Sequence, residues 1–126
     1  MESARHYFLG TLPWQPVMEG AEMAVLQGDP AQAGEYVIRF RTVRDIFVPL
    51  HWHRYDEHIT VVNGPFSMSC DGARQEFAPG SHVVIPANVR HCAWYGEGTV
   101  VQVSGLGPFE SIYVDPADGL AFAPES

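Results

Sequence analysis

Short runs of alternating apolar and polar residues, each broken within a few positions by Gly, Pro, Asn or Asp, recur along this chain and leave no room for a long helical period. A packed helix repeats its apolar stripe every three to four residues over ~10–12 positions or more, so this punctuation points instead to a sandwich or small barrel. Tyr36 to Val43, Ile46 to His53 and His58 to Val62 read as strands. Asn63-Gly64-Pro65 turns the chain into Phe66 to Cys70, and Asp71-Gly72 is a tight hairpin signal before Arg74 to Phe77. Pro79-Gly80 introduces Ser81 to Ile85, Pro86 stops it, and His91 to Tyr95 and Thr99 to Val103 flank a Gly96-Glu97-Gly98 turn. The expectation is an all-β fold of about eight to ten short strands. An irregular arm is expected over residues 1–24 and a tail over 115–126, and 126 residues fit one domain. A barrel closed from ~8 strands has no exposed edges and holds side chains or one small ligand inside.

Charge narrows the partners. The net charge is −8, with seven arginines and no lysine. Affinity for nucleic acid comes largely from neutralising phosphates, so that partner is set aside. No apolar run approaches the ~20 residues of a membrane helix, and the N-terminus lacks the charged and apolar regions of a secretory signal. The chain reads as soluble and cytoplasmic. Cys70 and Cys92 lack C-x-x-C spacing, and in a reducing compartment both are expected to be buried, inert thiols.

The most informative stretch is His51-Trp52-His53-Arg54-Tyr55-Asp56-Glu57, followed by Gly64. Alternate residues of a strand share a face, so His51 and His53 can offer two imidazoles to one ion while Trp52 points away. If the chain returns antiparallel after Arg54-Tyr55-Asp56, Glu57 arrives opposite the pair. Two imidazoles and a carboxylate suit Fe, Mn, Ni, Cu or Zn and leave positions open for substrate, water or oxygen. Farther on, Gly80-Ser-His-Val-Val-Ile-Pro86-Ala-Asn88-Val-Arg-His91 offers a further His where a later strand can come alongside.

These two stretches, H-x-H-x3-E-x6-G and G-x5-P-x-N-x2-H, resemble the two motifs of the cupin superfamily, in that order. The resemblance implies a cupin-type jelly-roll β-barrel, commonly a homodimer, with one divalent transition metal ion held by His51, His53, Glu57 and His91. The chain departs from the family pattern at three positions. Asp45 stands where the first motif opens with Gly, and Asn88 and Tyr95 stand where the second has Gly and Asn. Asn tolerates positive φ, so Asn88 can still make the turn.

His6 and His58 are expected to be decorative, His58 because it neighbours Glu57 and must face outward, and His82 to pack or point outward. Alternation from His91 places Ala93 and Tyr95 inward, with Cys92 and Trp94 on the other side. Glu57 and Tyr95 are therefore the candidate catalytic groups. Tyr95, Arg39 and Arg41 are the candidates for orienting a substrate, an inward Arg being a fork for a carboxylate or enolate. Trp14, Trp52 and Trp94 are expected in the core or a dimer interface. The leading expectation is a quercetinase-like or diketone-cleaving dioxygenase acting on a small enol, phenol or diketone. The alternatives are a redox-neutral metal-dependent isomerase or cyclase, and a non-catalytic metal or small-ligand binding module.

Overall fold

A computed structural model describes residues 3–121. The chain runs through β1 (Gln15–Met18), β2 (Ala21–Gln27), β3 (Gly34–Thr42), β4 (Ile46–Trp52), β5 (Glu57–Asn63), β6 (Phe66–Ser69), β7 (Gln75–Phe77), β8 (His82–Ile85), β9 (His91–Tyr95), β10 (Val100–Gly107) and β11 (Ile112–Tyr113). A 3-10 turn spans Leu9–Thr11 and a short helix, α1, spans Pro116–Ala121. No helix among the described residues is long and apolar enough to cross a membrane. The all-β jelly-roll reading holds, with more strands than the punctuation suggested. The stretch read as an irregular arm contains β1 and begins β2, and the stretch read as tail contains α1.

The strands form two antiparallel sheets, ordered β1-β2-β3-β10-β5-β8 and β11-β4-β9-β6-β7. They face one another and do not close into a barrel, which corrects the expectation of an edgeless framework. The four strands left at edges, β1, β8, β11 and β7, are two to four residues long. Short edges offer little template for a foreign strand, so the open arrangement is not a liability.

Alternation sets what each sheet buries. Ile38, Ile59, Val61, Val101 and Val103 from the first sheet meet Phe66, Met68 and Ala93 from the second in one apolar cluster. Ala21, Ile46 and Val48 form a smaller cluster, and Phe40 and Tyr95 pack against both. The residues between them on each strand face outward. The tryptophans lie outside the core, which leaves the interface half of the expectation standing: each is half-buried under an arginine, with Arg41 4.1 Å over Trp14, Arg74 4.4 Å over Trp94 and Arg54 6.0 Å over Trp52. The thiols also differ from the expectation. Cys70 is exposed and Cys92 half-buried on the outer face, both free, because Cys92 lies opposite Ser69 while the neighbouring pair Met68 and Ala93 turns inward.

Two connections decide where the site lies. The four residues His53-Arg54-Tyr55-Asp56 carry the chain from β4 in one sheet to β5 in the other, so β4 and β5 do not pair. β4 pairs instead with β9, with His51 opposite His91. The crossover is pinned to the loop before β9: Asn88 N donates to His53 O at 2.8 Å and Ala87 N donates to Asp56 Oδ1 at 2.8 Å. Asn88 has φ 71°, the only positive φ outside glycine among the described residues. An Asn at this position can make the turn that Gly usually makes. Asp45 likewise has a local task, its Oδ1 accepting from Glu97 N at 2.8 Å.

Candidate metal centre

His51 and His91 face each other across β4 and β9, and His53 follows two residues beyond His51 on the same side. Their rings lie 4.1 Å apart for His51 and His91, 4.9 Å for His51 and His53 and 5.0 Å for His53 and His91. One ligand nitrogen from each lies within 4.8 Å of the others, and all three residues are buried. Glu57, the first residue of β5, reaches across from the opposing sheet. Its Oε1 is 3.2 Å from His53 Nε2 and 3.6 Å from His91 Nε2. The carboxylate thus arrives by a sheet-to-sheet crossover rather than by the antiparallel return expected from the sequence.

The tautomers are fixed by the backbone. His51 Nδ1 donates to Pro49 O at 2.7 Å, His53 Nδ1 to Glu110 O at 2.9 Å and His91 Nδ1 to Val89 O at 2.9 Å. A carbonyl can only accept, so each neutral ring carries its proton on Nδ1 and turns the bare Nε2 pair toward the cluster. Carbonyl anchors of this kind are how metal-binding histidines are commonly oriented. His53 Nε2 is the one buried side-chain N or O among the described residues that makes no hydrogen bond. Three imidazole lone pairs and an acceptor-only carboxylate therefore meet with no donor between them. Such a set repels itself unless positive charge enters, and a divalent cation fits it.

Electrostatics agree with that picture. Burial would raise the Glu57 carboxyl, but the hydrogen bonds and positive charge that His53 and His91 offer it whenever their Nε2 carries a proton outweigh burial and hold it down at about 2. Burial and the neighbouring His91 lower His51 to about 4. Burial also works to lower His53, yet the facing Glu57 carboxylate prevails and moves it up. Glu57 is thus an anion at neutral pH, and His51 is a neutral imidazole.

Tyr95 does share the inward face with Ala93, packed edge-on against Phe40 at 5.2 Å and tilted on Phe66 at 5.1 Å. Burial, then the Glu57 charge, then Tyr113, raise its phenol, which stays protonated and can only donate to an anionic neighbour. Arg39 and Arg41 are not brought to the cluster. They lie on the outer face of β3, where Arg39 Nε donates to Gln102 Oε1 at 3.1 Å and Arg41 Nε to Glu22 Oε1 at 2.9 Å. Their strand neighbours Ile38 and Phe40 take the inward positions. His58 also faces outward, its ring 5.8 Å from that of His82, and His82 Nδ1 pairs with Thr60 Oγ1 at 2.8 Å. His6 is exposed and stacks on Phe8 at 6.1 Å.

Three side chains near the cluster escaped the sequence reading. Phe109 lies 4.9 Å from the His53 ring, Tyr113 lies 5.5 Å from the His51 ring, and Tyr36 lines a cleft that ends on His53 and Glu57. Tyr36 feels burial and then Glu57, both raising its phenol. The signal available for it was alternation, since Tyr36 shares a face with Ile38 and Phe40.

No curated protein sequence matches the chain. Among solved structures it is similar to KdgF from Halomonas sp., at 21% identity and a TM-score of 0.67 over 82% of this chain and 94% of that one. It is also similar to the polyketide cyclase RemF from Streptomyces resistomycificus, at 17% identity and a TM-score of 0.71 over 90% and 87%. A chain in the complex of Rhodobacter sphaeroides SigE with the anti-sigma ChrR matches at 19% identity and a TM-score of 0.62, over 78% of this chain and 50% of that one. At these identities the likeness speaks for the fold. Residues 4–110 match the ChrR cupin-like domain, a span that takes in every strand but β11 and all four clustered side chains, and the chain belongs to that family of cupin domains.

Proposed function

We propose that the protein is a metal-dependent enzyme, a dioxygenase acting on a small enol, phenol or diketone, with His51, His53, His91 and Glu57 holding its divalent ion. The observation that supports this reading is the meeting of four acceptors at one buried point, with His53 Nε2 left unsatisfied. A redox-active ion bound there supplies the means to bring a chelating substrate and oxygen together. The chain's own contribution is orientation and proton management. Pro49, Glu110 and Val89 carbonyls hold the three rings in one tautomer. Glu57 supplies one negative charge, and Tyr95 keeps a phenol proton available beside an anionic substrate oxygen. The test is oxygen consumption by iron-, manganese-, nickel- or copper-loaded protein over flavonols, diketones and catechols. Uptake with at least one class supports the proposal, and silence across the panel with the ion bound ends it.

A redox-neutral cyclase or isomerase is the second reading, favoured by the extent of the likeness to the polyketide cyclase RemF. It predicts turnover with zinc bound and no oxygen uptake.

Metal affinity should depend on pH in a defined direction. Binding requires bare Nε2 pairs, so protons compete with the ion. His53, whose proton affinity is raised by the facing Glu57, takes up a proton at higher pH than a free imidazole, while His51 stays neutral down to about 4. Apparent affinity should therefore already fall on acidification from above the ordinary imidazole range, by about tenfold per pH unit once one proton competes. Competition against a chromophoric chelator between pH ~8 and ~5 reads this directly. A flat profile would show that these rings are not the ligands.

A further inference from the structure

Resting on the metal-centre reading above, we infer that β11 and α1 form a strap over His51, and that opening of this strap sets how fast an ion enters or leaves. The family match ends at residue 110, so both elements lie beyond it. The added segment nevertheless reaches the centre: β11 pairs antiparallel with β4, with Tyr113 directly opposite His51 and Ile112 opposite Trp52. Directly opposed residues share a face, so the Tyr113 ring stands on the inward side, 5.5 Å from the His51 ring. Tyr113 also packs, like Val17 and Met18 of β1, against the small cluster of Ala21, Ile46 and Val48. It thereby closes the side of the sandwich where the edge strands of the two sheets approach.

The stretch of β4 that carries His51 is weakly held without β11. Its pairing with β9 is regular from Ile46 to Val48 and slips before His51. Pro49, inside the slip, has no N–H to give to a ladder. On the other side β11 spans this gap, and Val114 N donates to Leu50 O at 3.0 Å. The strap itself is lightly attached. β11 is two residues long at a sheet edge, Val114 is exposed, and α1 packs only where Gly119 lets it approach, since a Cβ there would lie 3.3 Å from Tyr113 Cδ2. Segments with few ladder bonds and exposed backbone open at a fraction of the cost of global unfolding. When the strap lifts, His51 loses its cover and can swing aside, while β9 and β5 keep His91 and Glu57 where they are.

The experiment follows cobalt uptake by the metal-free full chain and cobalt release from the loaded chain to excess chelator, both by the visible cobalt spectrum. Tyr113→Ala is expected to speed release by about tenfold, and Val114→Pro, which removes the donor to Leu50, by a similar factor, whereas Tyr113→Phe should stay within about twofold of the parent. Uptake should quicken in the same two variants, a change that weakening of a ligand would not produce. Should Tyr113→Ala fold poorly, Val114→Pro at its exposed position carries the same test. In the parent, hydrogen exchange of the Val114 amide should be at least about a hundredfold faster than that of the amides in the β9–β6 ladder. Parent-like rates in Val114→Pro, a Tyr113→Phe protein as fast as Tyr113→Ala, or a Val114 amide as protected as that ladder would each overturn the inference and leave the metal centre standing. A parent chain that takes up no cobalt would overturn the metal-centre reading and the strap's role with it.

Discussion

Replacing His91 by alanine is expected to lower the metal content of the purified protein by at least about tenfold. His91 is 2% exposed, sits opposite His51 across the β4–β9 ladder and is within reach of the Glu57 carboxylate. Removing its ring takes one of three imidazoles from the cluster, and no other histidine among the described residues joins that group. His58→Ala is the control, because that ring points to the outer face of the first sheet beside His82. The His91 variant should still give a cooperative unfolding transition, which separates loss of a ligand from loss of the fold. Elemental analysis decides the matter, and equal metal loss from His58→Ala would mean that the facing of β5 has been misread.

Gly105→Ala should damage both stability and metal binding without touching a ligand. Gly105 pairs with Glu57 across β10 and β5, and a Cβ there would sit 2.7 Å from the Asp56 carbonyl oxygen and 3.4 Å from the Tyr36 hydroxyl. The first contact is with backbone that cannot swing away, so the crossover must shift and Glu57 must follow. Overpacking of this kind costs about 1–3 kcal/mol. A carboxylate displaced by an ångström should weaken metal binding by about tenfold. Gly10→Ala, where an added Cβ meets nothing within 4 Å, supplies the reference. Urea unfolding and chelator competition measure the two effects, and a Gly105→Ala protein that matches the parent in both would show the crossover to be slack.

Much of this is legible in the sequence itself. The period of two identified the strands of the middle of the chain and put His51 with His53, Tyr95 with Ala93 and His58 outside, because facing is a local property of an extended backbone. Pairing is not local. The three residues between His53 and Glu57 read as a hairpin turn, but the apolar faces on both sides must each be covered, and the chain covers them by changing sheets. The same gap explains Arg39 and Arg41: alternation said that they share a face, and only the packing of Ile38 and Phe40 into the core said which one. β1 and β2 were missed because Pro13 and Pro16 with Trp14 mask their pattern, although Pro is at home on an edge strand such as β1. The carbonyl anchors of the imidazoles have no sequence signature at all, since any residue provides a carbonyl.

The division of the donors between the two layers has a further consequence. The imidazole trio belongs wholly to one layer and is complete without the other, whereas the only anionic donor is delivered by the opposite layer at the first residue of a strand. Exchange of that single residue for a neutral one would alter the charge and reactivity of a held ion while the layer that grips it stays as it was. A scaffold arranged in this way can change its chemistry at position 57 without rebuilding its anchorage.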